Sequence, residues 1–135
     1  MAAPDTQKLG AAAELRVMSE LLLRGFNPAK SFVENGADLI LDDGRKIEVK
    51  CSSQKLKREA GFGISIRCGH HYSGSCRKIL VNCDFVICWS IVDDDFFIIP
   101  YSEVKHLTSL GLPMRGRKSK YEKFRNNWNI LKGGD

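Results

Sequence analysis

The residues of this chain whose types and spacing suit chemistry lie close together, in Gly36-Ala37-Asp38-Leu39-Ile40-Leu41, then Asp42-Asp43-Gly44, then Lys46-Ile47-Glu48-Val49-Lys50. In a strand, residues two apart share a face. Glu48 and Lys50 therefore project together, while Ile47 and Val49 point the other way. Whether Asp38 joins them depends on register. A two-residue turn at Asp43-Gly44 pairs Asp38 with Val49 and mixes charges with aliphatics on both faces. A three-residue loop, Asp42-Asp43-Gly44, pairs Leu41 with Arg45, Leu39 with Ile47 and Asp38 with Glu48. Leu39, Leu41, Ile47 and Val49 then share one apolar face, and Asp38, Glu48 and Lys50 cluster on the other. That loop needs a left-handed residue at its third position, which Gly44 supplies. A slip by one residue would bury the charges, so the pattern itself selects the register.

Two carboxylates beside a lysine suit phosphodiester hydrolysis. Asp38 and Glu48 offer hard oxygen ligands to magnesium or manganese, and magnesium keeps several of its waters and binds few protein groups. Such a metal polarises the scissile phosphate and lowers the pKa of a bound water. Lys50 is placed to orient that water or to stabilise developing negative charge. The backbone carbonyl of Val49 would add a further oxygen near the metal. The competing reading is a hairpin with solvated charges.

The elements that must position these residues are legible in outline. Ala11 to Arg24 reads as a helix, with Leu15, Met18 and Leu22 at helical spacing and Gly25 as its stop. Strands are expected at Ser31-Phe32-Val33, Ala37 to Leu41, Lys46 to Cys51 and Phe62 to Ile66. Gly69 to Gly74 reads as a loop. Phe85 to Ile91 and Phe96 to Ile99, split by Asp93-Asp94-Asp95, read as a central hairpin. Ser102 is expected to cap a short helix containing Val104 and Leu107. A last helix is expected to carry Tyr121, Phe124, Trp128 and Leu131 on one stripe. The fold class expected is α/β, a mixed β-sheet of about four or five strands flanked by α-helices.

The chain has 135 residues, which suits one domain spanning 1–135. Its 43% hydrophobic and 27% charged residues are ordinary for a water-soluble protein. No apolar run approaches the roughly 18 residues of a membrane span, and Met1-Ala2-Ala3-Pro4-Asp5 lacks the order of a signal peptide. The expectation is a cytoplasmic protein with no membrane partner. Five cysteines without an export signal read as free thiols. The net charge of +5 is concentrated late in the chain. Arg115, Arg117, Lys118, Lys120, Lys123, Arg125 and Lys132 face only Glu122 and Asp135, and Lys55, Lys57 and Arg58 form a second cluster. Such clusters suit a polyanion, because each neutralised phosphate releases counterions; a solvated basic face is the equal alternative.

At Asp38, Glu48 and Lys50 the sequence resembles the PD-(D/E)XK nuclease superfamily, nearest to small Holliday junction resolvase-like or compact homing-type endonucleases. Those proteins place a helix before the motif, with a glutamate near its start and a Gly-aromatic pair after it. Glu14 and Gly25-Phe26 occupy those places here. The resemblance implies a restriction-endonuclease-like fold and a magnesium- or manganese-dependent endodeoxyribonuclease. Asp38 and Glu48 would hold the metal, and Lys50 would act on the water or the transition state. Glu14 would assist as a further metal-site acid, directly or through water, or would be an exposed helix residue. The partner implied is DNA, cut at a junction or a specific site, by a homodimer or higher homo-oligomer, since one domain carries one active site. A departure is Ala37, which stands where the superfamily often has proline. A non-catalytic nucleic-acid-binding module on the same fold is the alternative.

Cys68, His70, His71 and Cys76 could form a zinc site, but their spacing matches no common finger, and a polar loop near nucleic acid is the rival reading. The spacing of Phe124 and Trp128 favours core packing over stacking on bases.

Overall fold

The computed structural model describes residues 6–32, 37–52, 62–65, 68–72, 75–79, 83–91, 93–107, 109–113, 115 and 118–132. Helix α1 (Thr6–Leu23) begins alanine-rich and ends as the stop signal demands. Gly25 takes φ +91°, its N–H donates to the Leu22 carbonyl at 3.1 Å, and the Phe26 N–H donates to Leu21 at 2.9 Å. This is a Schellman closure, and the left-handed residue it requires is the glycine.

The helix buries a different stripe from the expected one. Ala13, Val17 and Leu21 are fully enclosed, whereas Leu15, Leu22 and Leu23 are 63%, 58% and 78% exposed. Two apolar stripes run along opposite sides of this helix, because positions two apart lie about 200° apart. The stripe with the small Ala13 faces the sheet.

Nine strands are described: β1 (Pro28–Lys30), β2 (Leu39–Leu41), β3 (Lys46–Ser52), β4 (Phe62–Ser65), β5 (Cys68–Tyr72), β6 (Ser75–Ile79), β7 (Phe85–Ser90), β8 (Asp95–Pro100) and β9 (Ser109–Leu112). Five of them form a mixed sheet in the order β1-β2-β3-β7-β8, in which only β3 and β7 run parallel. Asp84 locks that parallel pair. Its N–H donates to the Lys46 carbonyl at 2.9 Å, and its Oδ2 accepts the Lys46 N–H at 2.8 Å. Ile47, Val49, Ile87, Phe96 and Ile98 pack on α1 in one core cluster. Val86, Cys88, Phe97 and Ile99 build the opposite face with Val104, Leu110, Leu112 and Phe124. Burial on both faces explains the almost continuous apolar run of β7.

Several expectations need correction. The first strand is Pro28–Lys30, because Lys30 pairs with Leu39 and Pro28 with Leu41; of the expected Ser31-Phe32-Val33, Ser31 and Phe32 lie past its end, Phe32 97% exposed, and Val33 lies outside the described residues. The glycine- and serine-rich stretch expected as a loop is a hairpin, β5 against β6, with His70 opposite Arg77 and His71 opposite Cys76. Ser109–Leu112, not expected as a strand, pairs with β4. The hairpin of β7 and β8 is present, but β8 is an edge of the sheet rather than central. Ser102 lies inside a 3-10 turn (Tyr101–Glu103) instead of capping a helix.

The expected last helix is replaced by two 3-10 turns, Glu122–Phe124 and Trp128–Lys132. Asn126 interrupts them at φ +51°. Its N–H donates to the Phe96 carbonyl at 2.6 Å and its Oδ1 accepts the Phe96 N–H at 2.9 Å. Bonding to the edge of β8 outweighs helix continuation, yet Phe124, Trp128 and Leu131 are still buried. Among the described residues α1 is therefore the one α-helix, so the sheet is not flanked by several.

Asp95 opens β8 at 1% exposure, and Arg115 and Arg125 converge on it (Arg115 Nε 2.7 Å, Arg125 Nη1 2.8 Å), with Asn126 Nδ2 at 3.1 Å. Hydrogen bonding from Arg115 first, then from Asn126 and Arg125, holds its carboxyl down at about 2. Because the folded value lies below the unfolded 3.8, the stabilisation is present above about pH 4 and lost as pH falls towards 2. Asp95→Ala should cost about 3 kcal/mol, because it removes the buried carboxylate that Arg125, Arg115 and Asn126 all bond. Urea unfolding should show Asp95→Asn less stable at pH 6 and less pH-sensitive than wild type between pH 4 and 2; parallel pH profiles would contradict this.

Candidate functional site

The β2–β3 turn sets the site. Leu41 donates its N–H to the Arg45 carbonyl at 2.8 Å, Gly44 donates to the Leu41 carbonyl at 2.9 Å, and Gly44 takes φ +93°. Asp43 stiffens the loop through Arg45, whose N–H and Nε donate to its carboxylate at 3.0 and 2.8 Å. Leu39 pairs with Ile47 and Ile40 with Lys46, which is the register the apolar pattern selects. Continuing that pairing brings Asp38 opposite Glu48.

Asp38 Oδ2 accepts the Val49 N–H at 2.8 Å, which ties the carboxylate across to β3. Its carbonyl accepts the Ser31 N–H at 3.0 Å, holding the entry to β2. Glu48 is 5% exposed, and Lys50 Nζ donates to its Oε2 at 3.1 Å. The other oxygen, Oε1, is buried and has no hydrogen-bond partner among the described residues. Burial first, and then the charge of Asp38, push the Glu48 carboxyl up to about 7; Lys50 opposes both. Glu48 and Lys50 lie beside Val86 and Cys88 of β7, on the side of the sheet away from α1.

Glu14 lies on α1, partly buried, with Lys30 Nζ 3.4 Å from its Oε1. Burial and then the charge of Asp38 raise its carboxyl from the ordinary value, while Lys30 lowers it. Glu14 thus belongs to the electrostatic neighbourhood of Asp38. Lys30 is the partner that sequence reasoning missed; its place follows from the β1–β2 pairing, and no local spacing marks it.

The thiols near the site are inert. Burial, followed by the charges of Glu48 and Asp84, pushes Cys83 up to about 12. Burial raises Cys51, whose Sγ lies 3.8 Å from the Leu9 carbonyl. Burial thus disfavours the thiolate, the nucleophilic form, in both.

Among the described residues no group of three or more His, Cys, Asp or Glu side chains is close enough to hold a metal. A cation here would rest on Asp38 and Glu48 with main-chain oxygen and water. The observation that fits one is Glu48 Oε1, a buried carboxylate oxygen left without a donor beside a second carboxylate. Cys68, His70, His71 and Cys76 lie on the β5–β6 hairpin, and their side chains are outside what is described. Of the basic residues, Arg115 is bonded to Asp95 yet stays 64% exposed. Lys118 and Lys120 are exposed. Lys55, Lys57, Arg58 and Arg117 lie outside the described residues. No helix among the described residues is long and apolar enough to cross a membrane.

No protein-family model matches this chain, and no curated protein sequence does. Among solved structures, the chain is similar to the bacterial homing endonuclease I-Ssp6803I, with a TM-score of 0.81 at 19% identity, over 95% of this chain and 93% of that one. The α/β architecture, with a five-stranded mixed sheet and one long helix, is the fold of that compact endonuclease.

Proposed function

We propose that this chain is a metal-dependent DNA endonuclease of the PD-(D/E)XK type, cutting a specific duplex site or a junction. The observation that carries the reading is the convergence of Asp38, Glu48 and Lys50 at one end of the β2–β3 hairpin, with a buried Glu48 oxygen that has no hydrogen-bond partner among the described residues. The similarity in fold to a homing endonuclease supports it.

Asp38 and Glu48 would hold magnesium or manganese, with the Val49 carbonyl, and with Glu14 directly or through water. When bound, the ion supplies Lewis acidity to the phosphate and lowers the pKa of a coordinated water. Lys50 neutralises Glu48 and presents an ammonium to the charge that develops on the phosphate oxygens. Val49, by donating its N–H to Asp38, fixes the carboxylate that faces Glu48. Lys55, Lys57, Arg58, Arg115, Arg117, Lys118 and Lys120 would neutralise backbone phosphates. One such centre cuts one strand, so a homodimer or higher homo-oligomer in the cytoplasm completes the reading.

The test is cleavage of supercoiled plasmid and of a labelled four-way junction with magnesium, manganese or EDTA. Cutting should require metal, and Lys50→Ala should lower its rate about 100-fold or more. Salt-sensitive DNA binding without cutting would favour the non-catalytic module instead. Glu48 supplies a second check. Its folded value, about 7, lies above the unfolded 4.5, so the metal-free protein loses stability as pH rises from 4.5 to 7 and then levels off. Metal-free Glu48→Gln should therefore melt higher than wild type at pH 8 and close to it at pH 4.5. Magnesium should raise the wild-type melting temperature and leave that of the variant nearly unmoved; equal shifts in both would overturn the role given to Glu48.

A further inference from the structure

On the side of the sheet that carries α1, the end of the helix meets the segment 126–132 in a cleft of about 210 Å³ lined by Arg24, Asn126, Trp128, Asn129 and Lys132. Several hydrogen-bond donors collect there. The Arg24 guanidinium lies over the Trp128 ring, 4.9 Å from its centroid, and its Nε donates to Glu20 Oε2 at 3.1 Å. Stacking and that single bond fix the plane of the fork. Its two terminal nitrogens have no further partner among the described residues. Glu20 pairs with Arg24 and gives its other oxygen to Arg16 Nη2 at 2.9 Å; Arg16 is itself held by Asp94, so among the described residues the unpaired charge at the cleft is that of Lys132. The side chains of Asn129 and Lys132 make no hydrogen bond or ion pair among the described residues. The Trp128 indole N–H is buried and unpartnered. Asn126 is already committed to Phe96 and Asp95. Among the described residues no acidic side chain lines the cleft.

A pre-oriented guanidinium fork, an ammonium and a carboxamide around a space of this size match a group with several oxygen acceptors and negative charge. A tetrahedral phosphate is such a group: it offers acceptors to the terminal Arg24 nitrogens and to Asn129, and a counter-charge to Lys132. We propose that this cleft binds a phosphate group, with Arg24 as the fork, Lys132 as the point charge and Asn129 as the neutral donor. It lies on the opposite side of the sheet from Glu48 and Lys50, so it is a second site, and it stands whether or not the chain cuts DNA. The phosphate has two possible sources: a free phosphate or nucleoside monophosphate, or the backbone of a nucleic acid.

The two indole N–H signals, from Trp89 and Trp128, give a direct readout by ¹H–¹⁵N NMR at constant ionic strength. The probes are inorganic phosphate, a nucleoside 5′-monophosphate, and a short duplex with hydroxyl ends. The Trp128 signal should move saturably, and Lys132→Ala and Asn129→Ala should each weaken binding, Lys132→Ala at least tenfold. Lys105→Ala, which removes an exposed lysine elsewhere, should leave it unchanged. Saturation by phosphate or the monophosphate identifies a small-molecule site, and saturation by the duplex alone identifies a backbone site. No saturable shift with any probe, or equal weakening by Lys105→Ala, would overturn the proposal.

Discussion

Leu39 pairs with Ile47, and this register decides which side chains of β2 and β3 face α1 and which face away. It puts Leu39, Leu41, Ile47 and Val49 against Ala13, Val17 and Leu21 of α1, and by the same alternation it sends Glu48 and Lys50 to the other side. A slip by one residue would exchange the faces and press an ion pair into the helix interface, where charge is desolvated at a cost of several kcal/mol per ion. Core packing and site assembly are thus one decision. Gly44 makes it possible, because the turn that sets the register needs a positive φ at that position.

Around that register the chain accumulates strain of an electrostatic kind. Glu48 is buried beside Asp38, and one of its oxygens lacks a donor although Lys50 serves the other. Glu14 approaches the same field from α1 and is balanced by Lys30. Contrast Asp95, equally buried, whose carboxylate is met by two arginines and an asparagine and held down at about 2. One buried acid is fully satisfied and staples β8 to the C-terminal segment. The other is left short of positive charge. A chain that can satisfy Asp95 so completely has the means to satisfy Glu48 too, and this difference supports the proposal that Glu48 serves a site rather than the fold.

Much of the site was legible because it lies within one hairpin. Alternation, the loop length and Gly44 together determine which side chains share a face, and all three are local. The stop of α1 at Gly25 was legible for the same reason. The buried face of α1 was not, since Leu15-Met18-Leu22 and Ala13-Val17-Leu21 are both regular stripes and only the sheet chooses between them. Contacts far apart in sequence overrode local pattern elsewhere. Asn126 breaks the C-terminal helix to bond Phe96. The run Asp93 to Asp95 reads as a solvated turn, yet Asp95 is enclosed by Arg115 and Arg125. The hairpin of β5 and β6 was hidden by glycine and serine, which signal loops and strand turns alike. Lys30 reaches Glu14 only through the β1–β2 ladder, which the misplaced first strand concealed.

The proposed role of Asp38 and Glu48 is to receive a divalent cation together. Manganese binding followed by electron paramagnetic resonance at pH 7.5 tests it without reference to any DNA substrate. Saturable binding to a single site per chain is expected, weakened at least tenfold by Asp38→Asn, a change that keeps an oxygen able to accept the Val49 N–H. Absence of saturable binding, or binding that Asp38→Asn leaves untouched, would contradict it.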